Sequence, residues 1–170
     1  MAIFNQLFQI KGKHASMMKE LKEKIGGECR NIDIFYISII LGLTQNRHAV
    51  IDNDTKIEPA KIDPEQMIKY DDEIQFLYRL VMLSDTNYCV SAKNRADKAF
   101  RYKPEGSFEK DENYFVSTML GGLEFLYEQI AANTSGRADV FENIFSLVDS
   151  YNNLTEDITE DSLYEIFETA

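Results

Sequence analysis

The stretch NIDIFYISIILGL, residues 31–43, decides the fold because it carries one charge, Asp33, among large apolar and aromatic side chains. Its apolar part covers only residues 32–43 and gives way to the polar residues 45–48, whereas a helix that crosses a bilayer needs about 20 apolar residues. A helix that is apolar almost all round is contacted on several sides. The stretch therefore predicts a central buried helix and not a membrane span.

Length and composition fit one folded domain, since the chain has 170 residues, of which 44% are apolar and 28% charged. A chain of this size buries roughly 70% of the surface that its unfolded form exposes, so it needs no disulfide or metal to fold. Its N-terminus has no early positive charge, and polar residues interrupt the apolar run, which does not fit a secretory signal. We therefore expect a cytoplasmic protein without a membrane-spanning segment.

Apolar residues recur at spacings of three and four on both sides of the central stretch, as in helices that bury one face. This periodicity predicts helices over residues 14–27, 63–84, 91–103, 111–132, 140–148 and 159–167. FQIKG (residues 8–12) and HAVID (residues 48–52) have only a weak strand pattern. We predict an all-α fold, a single irregular helical bundle of six or seven helices that spans residues 1–170.

Gly121 and Gly122 lie inside the longest predicted helix. A glycine in a helix interior costs about 1 kcal/mol relative to alanine. Its usual compensation is the close approach of another backbone, which a side chain would prevent. The glycine pair therefore predicts that another element packs closely against this helix.

The net charge of −11 is concentrated at the C-terminal end, because residues 138–170 contain nine acidic residues and no Lys or Arg. VFENIFSLV at residues 140–148 has an apolar stripe to bury, so this acidic helical end is predicted to fold. It serves as a solvated surface that keeps the protein soluble, as a docking face for a basic partner, or as an intramolecular partner for the basic segment at residues 93–103. The candidate contact residues there are Glu156, Asp157, Glu160 and Asp161.

Basic residues crowd into the segment 93–103, opposed only by Asp97. One interpretation is a helix surface on which the stems of basic side chains cover apolar area. The alternative is a nucleic-acid-binding patch with Tyr88 and Phe100 near enough to stack on bases. The candidate phosphate contacts are Lys93, Arg95, Lys98 and Arg101.

The N-terminal residues 1–13 form a candidate docking segment. Phe4, Leu7 and Phe8 make a small apolar face ahead of Lys11 and Gly12. Such a face at a chain terminus docks either on its own domain or on another chain.

Motifs that carry catalysis are missing from the sequence, which has no Gly-rich phosphate loop, GxSxG or HExxH. Cys29 and Cys89 are far apart and form no metal knuckle. His48, Asp52 and Asp54 do not have the spacing of an established metal site. We expect no catalytic residue, no cofactor and no metal, although a site that His48 or carboxylates assemble in space stays open.

The leading hypothesis is a non-enzymatic cytoplasmic helical protein that acts through protein–protein interaction, with another protein or with a second copy of itself. The alternative is a nucleic-acid-associated accessory protein that uses the basic patch at residues 93–103.

Overall fold

A computed structural model describes residues 7–101 and 107–156, and for residues 107, 108 and 153–156 it describes only the helical backbone. This part confirms the predicted all-α bundle of six or seven helices. The predicted helix over residues 159–167 lies outside the described residues. The elements in chain order are β1 (Phe8–Ile10), α1 (Gly12–Ile25), α2 (Asn31–Thr44), β2 (Ala60–Ile62), α3 (Pro64–Lys69), α4 (Asp71–Ser84), α5 (Ala92–Phe100), α6 (Ser107–Ile130) and α7 (Arg137–Glu156).

The two strands form one short antiparallel ladder in which Phe8 pairs with Ile62 and Ile10 with Ala60. Ile10, Ala60 and Ile62 turn into the core. The first three residues of FQIKG thus form strand β1, whereas HAVID belongs to the loop that connects α2 with β2. The ladder closes one end of the helical core.

Helices α2 and α6 form the centre of the fold, and glycines let their backbones meet. A methyl group added at Gly122 would overlap the carbonyl oxygen of Ser38 and the amide nitrogen of Gly42. One added at Gly121 would overlap the backbone of Arg47 and His48. The close approach predicted from the glycine pair is confirmed.

The predicted central helix is α2, and most of its apolar side chains are buried, with Ile37 and Ile40 left on an exposed stripe. The helix predicted over residues 63–84 is interrupted at Tyr70, which separates α3 from α4. The Tyr70 carbonyl accepts hydrogen bonds from the Tyr36 hydroxyl (3.0 Å) and from the Ile74 amide (3.0 Å). The carbonyl of Tyr70, at the break, therefore accepts the first helical hydrogen bond of α4. Among the helices described, none combines the length and hydropathy that a membrane span requires.

Candidate functional site

The predicted N-terminal docking segment is described only from Leu7 onward, so Phe4 lies outside it. Phe8 is half-buried in β1, and its ring meets that of Phe35 edge-on at 5.3 Å. Leu7 is exposed. Phe8 therefore packs against its own domain, and partner binding by this segment stays a prediction.

The acidic end begins with α7, a helix of 20 residues. Glu156 is its last residue, and the side chain of Glu156 is not described. Asp157, Glu160 and Asp161 lie outside the described residues. Contact between a partner and these four carboxylates stays a prediction, and the observable part of the acidic end is the surface of α7 before them.

Helix α7 buries little of its apolar surface, contrary to the expectation for residues 140–148. Val140 is buried, while Ile144, Leu147 and Tyr151 are partly buried against α1, α2 and α6. On the flank of the helix next to these residues, three large side chains stay exposed: Phe141 (42%), Phe145 (68%) and Val148 (50%). These apolar residues cover an arc too wide for one contact surface, so three of the seven remain exposed. We call the exposed three the α7 face.

Both ends of α7 are attached to the core. At its start, Arg137 donates to the carbonyl of Ile25 (3.3 Å) and lies 5.5 Å above the Phe141 ring. At its far end, the Tyr151 hydroxyl lies 3.0 Å from the Thr44 hydroxyl and accepts a hydrogen bond from the Gln45 amide (2.9 Å). The α7 face is thus held in place although little of the helix is buried.

Apart from Arg137, which lies over the Phe141 ring, the charged residues of α7 are all acidic. Asp139 accepts hydrogen bonds from Ser135 and Gly136, which hold the pKa of its carboxyl below the ordinary value. Glu142 and Asp149 are exposed beside the apolar stripe. The chain contains no Lys or Arg after Arg137. The result is an apolar stripe flanked by carboxylates.

The basic patch is largely engaged within the protein. Lys98 pairs with Asp111 and lies 5.1 Å above the Tyr88 ring. Arg95 donates to the carbonyls of Cys89 (2.9 Å) and Val90 (2.8 Å).

The two other cations of the patch are more open. Arg101 pairs with Asp97 at 3.0 Å, one helical turn away, and stays exposed. Lys93 is exposed, with no partner in the described part of the chain. Two of the four predicted phosphate contacts are therefore available without breaking an internal hydrogen bond to the backbone or a buried carboxylate.

His48 does meet a carboxylate in space. Its Nε2 atom lies 3.4 Å from Asp85 Oδ2 and 3.0 Å from the hydroxyl of Tyr114, which donates to the same carboxylate. Its Nδ1 atom lies 3.1 Å from the Thr118 hydroxyl. The sequence did not indicate this cluster because its members come from three separate segments that only folding brings together.

A second tyrosine extends the cluster. The Tyr88 ring stacks on Tyr114 at 3.7 Å, and its hydroxyl donates to Asp111 (2.6 Å). Burial, and then the hydrogen bonds to Asp85 and Asp111, raise the pKa values of Tyr114 and Tyr88. Burial opposes ionisation of Asp85, but hydrogen bonds from Tyr114 and from two backbone amides hold its pKa below the ordinary value. Both phenols are therefore neutral and Asp85 is charged.

The cluster borders an open depression of about 350 Å³, lined by Asn46, His48, Asn87, Tyr88 and Tyr114. These lining residues include no Ser, Thr or Cys that could act as a nucleophile, and both phenol hydroxyls are bonded to carboxylates. Asp85 and Asp111 instead tie the connection between α4 and α5 to α6.

Comparison with protein families, with curated proteins and with solved structures finds no match for this chain. Within residues 7–101 and 107–156, no three His, Cys, Asp or Glu side chains come together as metal ligands. The α7 face is the site whose chemistry points most directly to a class of partner.

Proposed function

We propose that the protein acts without catalysis as a cytoplasmic helical binding module that holds a partner protein on the α7 face. The observation that carries the proposal is the exposure of Phe141, Phe145 and Val148 on a helix flanked only by carboxylates beyond Arg137. Side chains at these spacings form one stripe of a helix, which suits a second helix laid along it. The partner would carry apolar residues on one side and Lys or Arg beside them.

Charge favours a basic partner over another copy of this chain at the α7 face. Two copies of α7 laid together would bring Glu142 and Asp149 against the same acids, and like charges in contact oppose association. The net charge of −11 also attracts a cationic partner and speeds its encounter.

The expected affinity is moderate. Covering a large apolar side chain fully contributes about 1.5–3 kcal/mol, and the α7 face offers three that are already partly covered. Association also costs translational and rotational freedom. A dissociation constant no tighter than the micromolar range, about −8 kcal/mol, is therefore expected.

The test uses a fluorescent amphipathic peptide of about 18 residues, long enough to form a helix, with leucines on one face and lysines beside them. Binding is followed by anisotropy at low salt. The same peptide with glutamate in place of lysine is the charge control. We expect the basic peptide to bind at least about tenfold more tightly than the acidic one, because only the former complements α7.

Two pairs of variants place the binding site. Phe145→Ala with Val148→Ala should weaken the basic peptide at least about tenfold. Ile37→Ala with Ile40→Ala, which changes the exposed stripe of α2, should leave its affinity unaltered. Equal binding of the two peptides, or equal loss in the two variant pairs, would overturn the proposal.

The nucleic-acid alternative rests on Lys93 and Arg101, which are exposed. It requires Lys98 to leave Asp111 and Arg95 to leave two carbonyls if all four cations are to contact phosphates. A gel-shift titration at two salt concentrations tests it. Binding that weakens with salt and with Arg95→Ala and Arg101→Ala would favour this alternative over the α7 face.

A further inference from the structure

Helix α4 is apolar on two opposite sides. Its inner side is fully packed, with Ile74, Tyr78 and Val81 among its buried residues. Its outer side exposes three more large side chains: Phe76 (62%), Leu80 (38%) and Leu83 (37%). A helix that is apolar all round is typically covered on all sides. We call the outer three the α4 face.

Helix α5 extends this face. The Arg79 guanidinium lies 5.6 Å above the ring of Phe100, the last residue of α5, and Phe100 is itself exposed. The end of α5 therefore lies beside the middle of α4. Residues 85–91 lead from the end of α4 to the start of α5. Since the last residue of α5 lies beside the middle of α4, we infer that α5 runs back along α4 and that its first turn with Lys93 lies toward the C-terminal end of α4.

The α4 face carries opposite charges at its two ends. Asp72 and Glu73 are exposed in the first turn of α4. Lys93 is exposed toward the other end and has no partner among the residues that the structure describes. A surface with an acidic end and a basic end complements itself when two copies meet head to tail.

We propose that the α4 face binds a second copy of this chain across a two-fold axis that passes near Leu80. The two α4 helices run antiparallel, so that Phe76 of each copy meets Leu83 of the other. Lys93 of each copy then faces Asp72 and Glu73 of the other, and the contact occurs twice. Such an isologous contact closes on itself and yields a dimer and not a fibre. The proposal does not depend on partner binding at α7.

Charge is the reason to commit to a second copy. A uniformly basic or uniformly acidic partner would match one end of the α4 face and be repelled at the other. A second copy matches both ends in the antiparallel arrangement and neither end in the parallel one. The face thus selects its own copy and one orientation of it.

Sedimentation velocity over a range of protein concentrations tests the proposal on the full chain. We expect a monomer–dimer equilibrium for the wild type. Leu80→Glu, which places two carboxylates at the two-fold axis, should weaken the dimer more than about tenfold. Phe76→Ser provides a second variant of the same face. Val148→Glu on the α7 face is the matched control and should leave the dimer unaltered.

A charge exchange tests the orientation. Lys93→Glu alone, or Glu73→Lys alone, should weaken the dimer about two- to fivefold, as expected for exposed ion pairs. The two changes together should recover the dimer in part, because the pair between positions 73 and 93 is re-formed with reversed sign while Asp72 stays acidic. Circular dichroism of every variant checks that the helices persist.

A wild type that stays monomeric at concentrations of several hundred micromolar would overturn the proposal. So would a dimer that Val148→Glu weakens as much as Leu80→Glu, or a charge exchange without recovery. Peptide binding at α7 is measured separately, so the failure of one proposal does not carry over to the other.

Discussion

The α4 face and the α7 face have the same apolar pattern and different electrostatic surroundings. Each presents three large side chains at positions i, i+4 and i+7: Phe76, Leu80 and Leu83 in one case, Phe141, Phe145 and Val148 in the other. Around the first, acids and a base lie at opposite ends, whereas the second has only acids after Arg137. We infer that the apolar spacing provides an exposed stripe for association on each helix and that the flanking charges determine which partner binds there.

The two helices also differ in how firmly they are held. Five apolar side chains on the inner side of α4 are buried, whereas α7 buries only Val140 among its described side chains. Regions with few buried contacts open locally at low free-energy cost. We infer that the α4 face is rigid and that the α7 face depends on the hydrogen bonds at its two ends.

The largest effect is expected at Gly122, which supports both faces through the packing of α2 on α6. Gly122→Ala places a methyl group against the Ser38 carbonyl, a backbone atom that cannot turn aside. The free energy of unfolding should fall by about 3 kcal/mol, and binding at both faces should weaken together. Urea denaturation measures it. Gly136→Ala, where a methyl group meets open space, is the control, and an equal loss there would contradict the packing argument.

A smaller effect separates the faces by charge. Glu142→Lys combined with Asp149→Lys reverses the charges beside the α7 face. The basic peptide should then bind about tenfold more weakly, since the complementary carboxylates are replaced by like charges. The dimer should be unaffected. Anisotropy and sedimentation provide the two measurements, and a parallel change in both would remove the distinction between the faces.

The hydroxyl of Tyr151 tests the difference in rigidity. Tyr151→Phe removes the hydrogen bonds to Thr44 and Gln45 at the end of α7. The free energy of unfolding should fall by about 0.5–1 kcal/mol. Hydrogen exchange should quicken in α7 and stay unaltered in α4. Equally faster hydrogen exchange in α7 and α4 would show that α7 does not open independently of the rest of the fold.

The smallest effect is a pH dependence that arises at a buried histidine of α1. His14 is buried and its Nε2 lies 2.9 Å from Glu124. Burial lowers the pKa of His14 below its ordinary value of 6.5, although Glu124 acts in the opposite direction. Below pH 6.5 the unfolded chain therefore binds more protons than the folded one, and stability falls as the pH falls toward the folded pKa.

His14→Gln isolates this contribution. Between about pH 7.5 and about pH 5.5, the wild type should lose more stability in urea titrations than the variant does. Glu124 does not interfere in this range, because Lys13 and His14 hold the pKa of its carboxyl below 4.5 against the effect of burial. Equal losses would mean that His14 does not titrate differently on folding.

Several features of the fold followed from the sequence because they are local. The apolar run in residues 31–43 can be stable only inside the protein, and it became α2. The glycine pair in α6 indicated a close backbone contact without showing that Ser38 and Gly42 provide it. Helix α3 begins at Pro64, close to the start predicted at residue 63, and the fixed backbone angle of proline suits the first turn of a helix.

The candidate sites were predictable only in part. Clustering of Lys98 and Arg95 in the sequence left open whether they cover a helix surface or contact phosphates, and the structure shows them engaged by Asp111 and two backbone carbonyls. For residues 140–148 the apolar stripe predicted burial. This prediction is confirmed for Val140 and wrong for Phe145, which is exposed. Periodicity says which residues share a side of a helix, and it does not say how much of that side a neighbour covers.

By itself, then, the sequence determined that the chain forms helices, where most of them begin, and that α2 is central. Those properties depend on backbone propensity and on the transfer of contiguous apolar residues from water, both of which act over a few positions. Only the tertiary structure decided which apolar stripes stay exposed and which basic side chains are not engaged by a carboxylate or a backbone carbonyl. Exposure and pairing depend on distances between atoms far apart along the chain, such as Asp111 and Lys98, and packing alone sets those distances.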